Sequence, residues 1–236
     1  MPMIKANISK IQGKIASVCK KIGRNPSEVI LIGVTKYAEA DKIKEAIEAG
    51  LTHIGENKVQ EAQRKFPALE PFNAKMTKHM IGHLQTNKVK PALRYFDFIQ
   101  SVDSLKLAVE IEKQATVLNK NVDILVEVNT SMEEQKFGMD AYEVIPLIEE
   151  ISRLPHIRVR GLMTISALTD RQEVARKCFQ DLRFLNDRCK EAFAGRPGVN
   201  MQFLSMGMTD DYEIALEEGS NMLRIGRAIF AEEKAS

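Results

Sequence analysis

Apolar residues at Ile4, Ile8, Ile11, Ile15, Val18, Cys19 and Ile22 recur mostly at steps of three and four, which predicts an amphipathic helix. The segment "GRNP" stops it, with Gly23 suited to the helix end and Pro26 unable to continue the turn. Short apolar runs then alternate with helical patterns. Strands are predicted near 29–36, 53–57, 79–82, 98–102, 122–129, 159–166, 202–207 and 221–225. Helices are predicted near 39–49, 57–66, 86–95, 104–119, 140–152, 171–193 and 210–218. Strands each followed by a helix or by the chain end predict a single (β/α)8 TIM barrel with an extra N-terminal helix. An open doubly wound sheet is the alternative, and the near-regular units favour closure. No Pro/Gly/Ser-rich linker interrupts the rhythm, so one domain over residues 1–236 is expected.

In a parallel barrel, alternate residues point inward, and function sits at the C-terminal ends of the strands. On the first strand, "VILIGVTK", Ile30, Ile32, Val34 and Lys36 share one face, and Leu31, Gly33 and Thr35 the other. If the first face is internal, Lys36 places its amine in the mouth of the barrel. On the last strand, "NMLRIG", the aliphatic Leu223 and Ile225 suit the helix-facing side, so Arg224 points inward. Closure sets strand eight beside strand one, and Lys36 and Arg224 share the mouth. Burial and a neighbouring arginine both disfavour a lysine's charge, and a partly neutral amine is what Schiff-base chemistry requires. The plainer alternatives are a strand-end lysine reaching into solvent and an Arg224 ion pair with Glu56 or Glu127.

After strand seven come Ser205, Gly207, Met208 and Thr209, and after strand eight Gly226 and Arg227 open a short helix. Loops after strands seven and eight are the recurring phosphate site of such barrels, and glycines let backbone N–H groups approach its oxygens. A carbonyl-reactive lysine, an arginine beside it and a phosphate cradle suggest pyridoxal 5′-phosphate (PLP). A barrel aldolase that forms a Schiff base with a phosphorylated sugar satisfies the same features.

Composition narrows the classes. The 236 residues are 44% hydrophobic and 28% charged with a net charge of +2, and no basic tract stands out, which argues against nucleic-acid and membrane-surface partners. Cys19, Cys178 and Cys189 are sparse and odd in number, which suits a reducing compartment. With no membrane-length apolar run and no signal peptide in "MPMIKANISK", a cytoplasmic protein is expected. No His/Cys/Asp cluster has metal-ligand spacing, so no metal is expected. Asp210 and Asp211 suit a helix start.

The segments "RNPSEVILIGVTKY", "GLTHIGENKVQEAQRK", "MIGHLQTNK", "QSVDS", "VNTSMEEQKFG", "GLMTIS", "FLSMGMTDDYEIALEEGS" and "MLRIGRAIF" resemble, in this order, the PLP homeostasis proteins. This family is also called YggS or proline-synthetase co-transcribed, and its barrel is similar to the N-terminal domain of alanine racemase. The resemblance covers nearly the whole chain. It implies that Lys36 carries PLP as an internal aldimine and that Arg224 faces the pyridine nitrogen. It places Ser205, Gly207, Met208, Gly226 and Arg227 around the phosphate and Asn57 and Met163 near the ring. Gln85 and Asn87 would shape the entrance, with Lys136 in a loop near the mouth. Lys78, Gln100 and Ala231 depart from the family's usual Trp, His and Gly.

Arg224 cannot accept a proton, so it would leave the pyridine nitrogen unprotonated and the ring a weak electron sink. Racemisation in the related enzymes also needs a second base from an additional β domain and the partner subunit, and the chain ends at Ser236 without residues for one. His79 and His83 are candidate bases, read mainly as packing histidines. The expectation is a PLP carrier or buffer, monomeric and without turnover of its own, that hands PLP to apoenzymes. A PLP-dependent amino-acid racemase is the alternative.

Overall fold

The computed structural model describes residues 3–131, 133, 137–167, 169 and 171–231. Eight parallel strands close into a barrel in sequence order: β1 (Ile30–Val34), β2 (His53–Glu56), β3 (Thr77–Met80), β4 (Phe98–Val102), β5 (Val122–Glu127), β6 (Ile157–Met163), β7 (Val199–Ser205) and β8 (Met222–Ile225). The α-helices are α1 (Met3–Lys21), α2 (Ala40–Glu48), α3 (Val59–Lys65), α4 (Val89–Tyr95), α5 (Leu105–Leu118), α6 (Val144–Ile151), α7 (Gln172–Ala192), α8 (Tyr212–Glu217) and α9 (Arg227–Phe230). Strand β8 returns beside β1, with Leu31 opposite Leu223 and Ile32 opposite Arg224. The chain is a TIM barrel, and the open sheet is excluded.

The strands divide their side chains as the alternation predicts. Ile30, Ile32, Phe98, Leu125, Met163, Phe203 and Met222 meet inside the barrel. Leu31, Leu223 and Ile225 join the larger apolar layer between sheet and helices. Helix α1 buries Ile4, Ile8, Ile11, Ile15, Val18 and Cys19, and it packs on α2, α8 and α9, over the seam where the barrel closes. Asn7 Nδ2 pins it there by donating to the Ile229 carbonyl at 3.1 Å.

Several boundaries differ from the pattern, β3 and β6 each beginning two residues early, and three of the differences bear on the site or the core. Strand β7 begins at Val199, earlier than expected, because Asn200 and Gln202 are exposed and mask its apolar face. Residues Phe66–Lys75 form 3-10 turns, since Pro71 forbids a continued α-helix while Phe66 and Leu69 still anchor the segment in the core. Strand β1 stops at Val34. At Gly161, φ is +148° and a Cβ would lie 1.9 Å from the Phe203 carbonyl oxygen, where the β6–β7 register shifts, so only glycine fits.

The end of β1 is held by a buried ion pair in the layer between strands and α3. Lys65 and Glu56 are 1% and 0% exposed, with Lys65 Nζ 3.0 Å from Glu56 Oε2. Lys65 also donates to the Thr35 carbonyl at 3.0 Å, and Thr35 Oγ1 donates to Glu56 Oε2 at 2.9 Å. The same carbonyl accepts from the Ala38 N–H at 2.9 Å, which closes a turn with Lys36 and Tyr37 at its centre. Glu56 is therefore committed to Lys65 on the helix side and is no partner for Arg224. Removing Lys65 strands the Glu56 charge, which costs about 3–5 kcal/mol, whereas removing Glu56 leaves Lys65 its other partner, Glu61, at 3.1 Å. Urea unfolding of Lys65→Met should show a loss of that size, and Lys65→Met combined with Glu56→Leu should recover part of it. A single variant as stable as wild type would remove the pair as the anchor of the turn.

Candidate functional site

Lys36 lies two residues past β1, at the C-terminal end of the barrel. It is exposed, with Nζ 4.9 Å from the centroid of the Tyr37 ring. The expected burial of its amine is thus corrected: the turn at Thr35 lifts Lys36 out of the strand's alternation and onto the rim.

Arg224 is where the alternation put it, inside the barrel and 4% exposed. Its Nη1 donates to Ser205 Oγ at 2.5 Å and its Nη2 to the Thr164 carbonyl at 2.7 Å. It takes these neutral acceptors, and the alternative of an ion pair with Glu56 or Glu127 is not realised. Burial pulls the guanidinium down to about 10, against the pull of Asp211 and Glu127, so it stays charged at neutral pH. Glu127 enters as a neighbour. Burial first, then Asp103, pushes its carboxyl up to about 7, and Arg224 opposes the rise.

The predicted phosphate residues separate into two groups. Ser205 is fully buried, and its hydroxyl donates to Gln100 Oε1 at 2.7 Å while accepting from Arg224. It belongs to the interior beneath the rim. Gly207, Met208, Gly226 and Arg227 lie on the rim. Gly207 has φ +97°, and a Cβ there would meet Ala215 Cβ at 2.6 Å, so the loop packs tightly on α8. The Met208 N–H donates to Asp211 Oδ1 at 2.6 Å, and Ser166 Oγ donates to Asp211 Oδ2 at 2.6 Å. Asp211 therefore organises this loop, beyond the helix-starting role expected of it. Gly226 caps α9, and Arg227 bonds Asp210 across the rim.

Asn57 follows β2. Its backbone is approached so closely by Gly82 that a Cβ there would lie 2.4 Å from the Asn57 carbonyl oxygen. Asn57 also lines a cavity of about 510 Å³ with Lys58, His83, Gln85 and Lys88. Asn87 is exposed on the following turn, and Met163 is fully buried inside the barrel opposite Glu127. Lys136 lies outside the described residues.

The two histidines differ. His79 is in the barrel core, bonded to His53 and Gln100, and burial followed by His53 pushes its imidazole down to about 3. His83 is on the rim, stacked on Phe137 with ring centroids 4.0 Å apart and 3.3 Å from Asp103. Among the described residues no group of His, Cys, Asp and Glu is arranged to hold a metal ion, and no helix is long and apolar enough to cross a membrane.

Asn57 Oδ1, Ser101 Oγ and Glu127 Oε2, at the C-terminal ends of β2, β4 and β5, are buried without a hydrogen-bond partner. Polar atoms so placed, a charged donor beneath them and an exposed amine on the rim fit a polar, carbonyl-bearing ligand such as PLP.

The family model described as "Alanine racemase, N-terminal domain" matches residues 4–234. The pyridoxal phosphate homeostasis protein of Haemophilus influenzae is 37% identical over 96% of this chain and 94% of its own. The chain belongs to the pyridoxal phosphate homeostasis protein family. A crystal structure of a Bifidobacterium adolescentis protein superposes with a TM-score of 0.92 at 36% identity, covering 97% of this chain and 94% of that one. PipY of Synechococcus elongatus, in its structure with PLP bound, superposes with a TM-score of 0.82 at 32% identity, covering 94% of this chain and all of that one.

Gln100, His53, Thr164 and Lys65 were not predicted as site residues. Inward parity on β2 and β4 marks His53 and Gln100, whereas Thr164 acts through its backbone, which no side-chain pattern reports.

Glu127 gives the site a pH signature. Its carboxyl is raised from 4.5 when folded, so the native state keeps the proton while the unfolded chain loses it. Stability from this group is full below pH 4.5 and falls as pH rises toward about 7, by about 3 kcal/mol at most. Glu127→Gln should therefore be more stable than wild type in urea at about pH 8 and nearly equal to it at about pH 4.5. An equal difference at both values would place the ionisation elsewhere.

Proposed function

We propose that this protein binds PLP in the mouth of its barrel, covalently through Lys36 Nζ, and serves PLP homeostasis inside the cell as a carrier or buffer without turnover of its own. When bound, PLP supplies an aldehyde that captures amines and a ring that withdraws electrons, most strongly when its nitrogen is protonated. The observation that carries the reading is Arg224, a buried guanidinium with no proton to exchange at neutral pH, held beneath an exposed lysine. Arg224 would face the pyridine nitrogen, where a guanidinium would donate a hydrogen bond and leave that nitrogen unprotonated. Asn57 and Met163 line the ring, and Gly207, Met208, Gly226 and Arg227 line the phosphate. Ser205, expected at the phosphate, serves the nitrogen end instead, through Arg224.

The exposure of Lys36 suits a carrier, since an amine on the rim can take up and release an aldehyde without opening the core. His79, bonded deep in the barrel, and His83, clasped by Phe137 and Asp103, are poorly placed as a second base. The protein acts as a monomer of one PLP-binding domain, and PLP-requiring apoenzymes receive its cargo.

Visible absorption of wild type and Lys36→Ala, each incubated with PLP and then treated with borohydride, tests the reading. A band in wild type that borohydride bleaches, absent in the variant, is expected, together with no racemisation of amino acids. A wild-type protein without a band under excess PLP would overturn it. A band accompanied by steady racemisation would make the protein a racemase.

A further inference from the structure

A line of hydrogen bonds runs through the barrel interior from Arg224 to the opposite end. Arg224 Nη1 donates to Ser205 Oγ at 2.5 Å, and the Ser205 hydroxyl donates to Gln100 Oε1 at 2.7 Å. Gln100 Nε2 lies 3.0 Å from His79 Nδ1, and His79 Nε2 lies 2.9 Å from His53 Nδ1. An amide nitrogen only donates, so His79 Nδ1 must be bare and its proton must sit on Nε2. That proton points at His53 Nδ1, which must be bare in turn. Every donor along the line meets an acceptor, and all of them point the same way. Phe98 stacks on His79 with centroids 5.2 Å apart and keeps the ring in this plane. His53 is half-buried and lines a cavity of about 480 Å³ near the N-terminal ends of β1 and β2.

We propose that Gln100 is the positioning residue of the cofactor site: with His79 and His53 behind it, it orients the Ser205 hydroxyl and so holds the Arg224 guanidinium in the plane that meets the ligand. Its effect on PLP rests on the proposed function, whereas the orientation of the line belongs to the ligand-free protein. Gln100 is suited to the role because it both accepts and donates across a short side chain. Leucine does neither, an ionised glutamate only accepts, and histidine does both through its two ring nitrogens.

The test has two parts. Nitrogen NMR of ligand-free protein with labelled histidines should find His79 protonated at Nε2 and bare at Nδ1 in wild type. Gln100→Glu should force a proton onto Nδ1. In the second part, PLP affinity read from the visible band should fall about tenfold in Gln100→Leu, the scale of a weakened hydrogen bond to a charged group. Gln100→His should restore most of it. Urea midpoints of each variant separate misfolding from misplacement, and Gln100→Glu, which preserves volume, is the decisive variant if leucine unfolds the barrel. The proposal is overturned by a wild-type His79 protonated at Nδ1. It is equally overturned if folded Gln100→Leu binds PLP as wild type does, or if folded Gln100→Glu leaves His79 bare at Nδ1. Absence of any band in wild type would defeat the PLP reading, and the His79 tautomer would then decide the line alone.

Discussion

Inside this barrel a guanidinium is kept charged away from water, and much of the interior is arranged around it. Taking such a cation out of solvent costs several kcal/mol unless its donors are satisfied. A carboxylate salt bridge would satisfy them, but Glu127, a buried acid that acts on Arg224, has its carboxyl pushed up to about 7 and holds its proton more readily than a solvated one. The fold supplies neutral oxygens, Ser205 Oγ and the Thr164 carbonyl, which leave the positive charge uncancelled. Uncancelled charge is what an electron-rich ligand can use. The barrel thus holds Arg224 on neutral acceptors and leaves its charge available.

Much of this was readable from the chain. Strand parity separated Ile32 from Leu31 and Arg224 from Leu223, because closure buries both faces of a strand in different company. Parity failed at Lys36, where a turn tied to Thr35 replaced the strand's last residues. The cause, Lys65, sits on α3 among apolar positions and looks like any solvated helix lysine. A buried cation can be recognised only when its acceptors are known, and these come from β1 and β2, far away in sequence. Ser205 was legible as a candidate but not as an internal residue, since its neighbours Gly207 and Met208 do lie on the rim.

The relation between site and scaffold is unequal at the two cationic residues. Lys36 owes its place to a buried anchor outside the barrel, and its own side chain is exposed, with Nζ over the Tyr37 ring. Arg224 is fixed at its tip as well as at its base. The division is between an exposed amine on the rim and a buried guanidinium held on two sides.

The closing seam has a consequence for how the chain is made. Helix α1 buries its apolar face on α8 and α9, and β1 completes its pairing only with β8. Helix α1 and β1 therefore wait for α8, β8 and α9, which are made after the rest of the barrel. While β3 to β7 are being made, α2 is the one neighbour available to cover Ile4, Ile8, Ile11 and Ile15. Contacts so distant in sequence make folding slow and the nascent chain prone to association. Helix α1 is thus a segment on which a holding chaperone has a long opportunity to act.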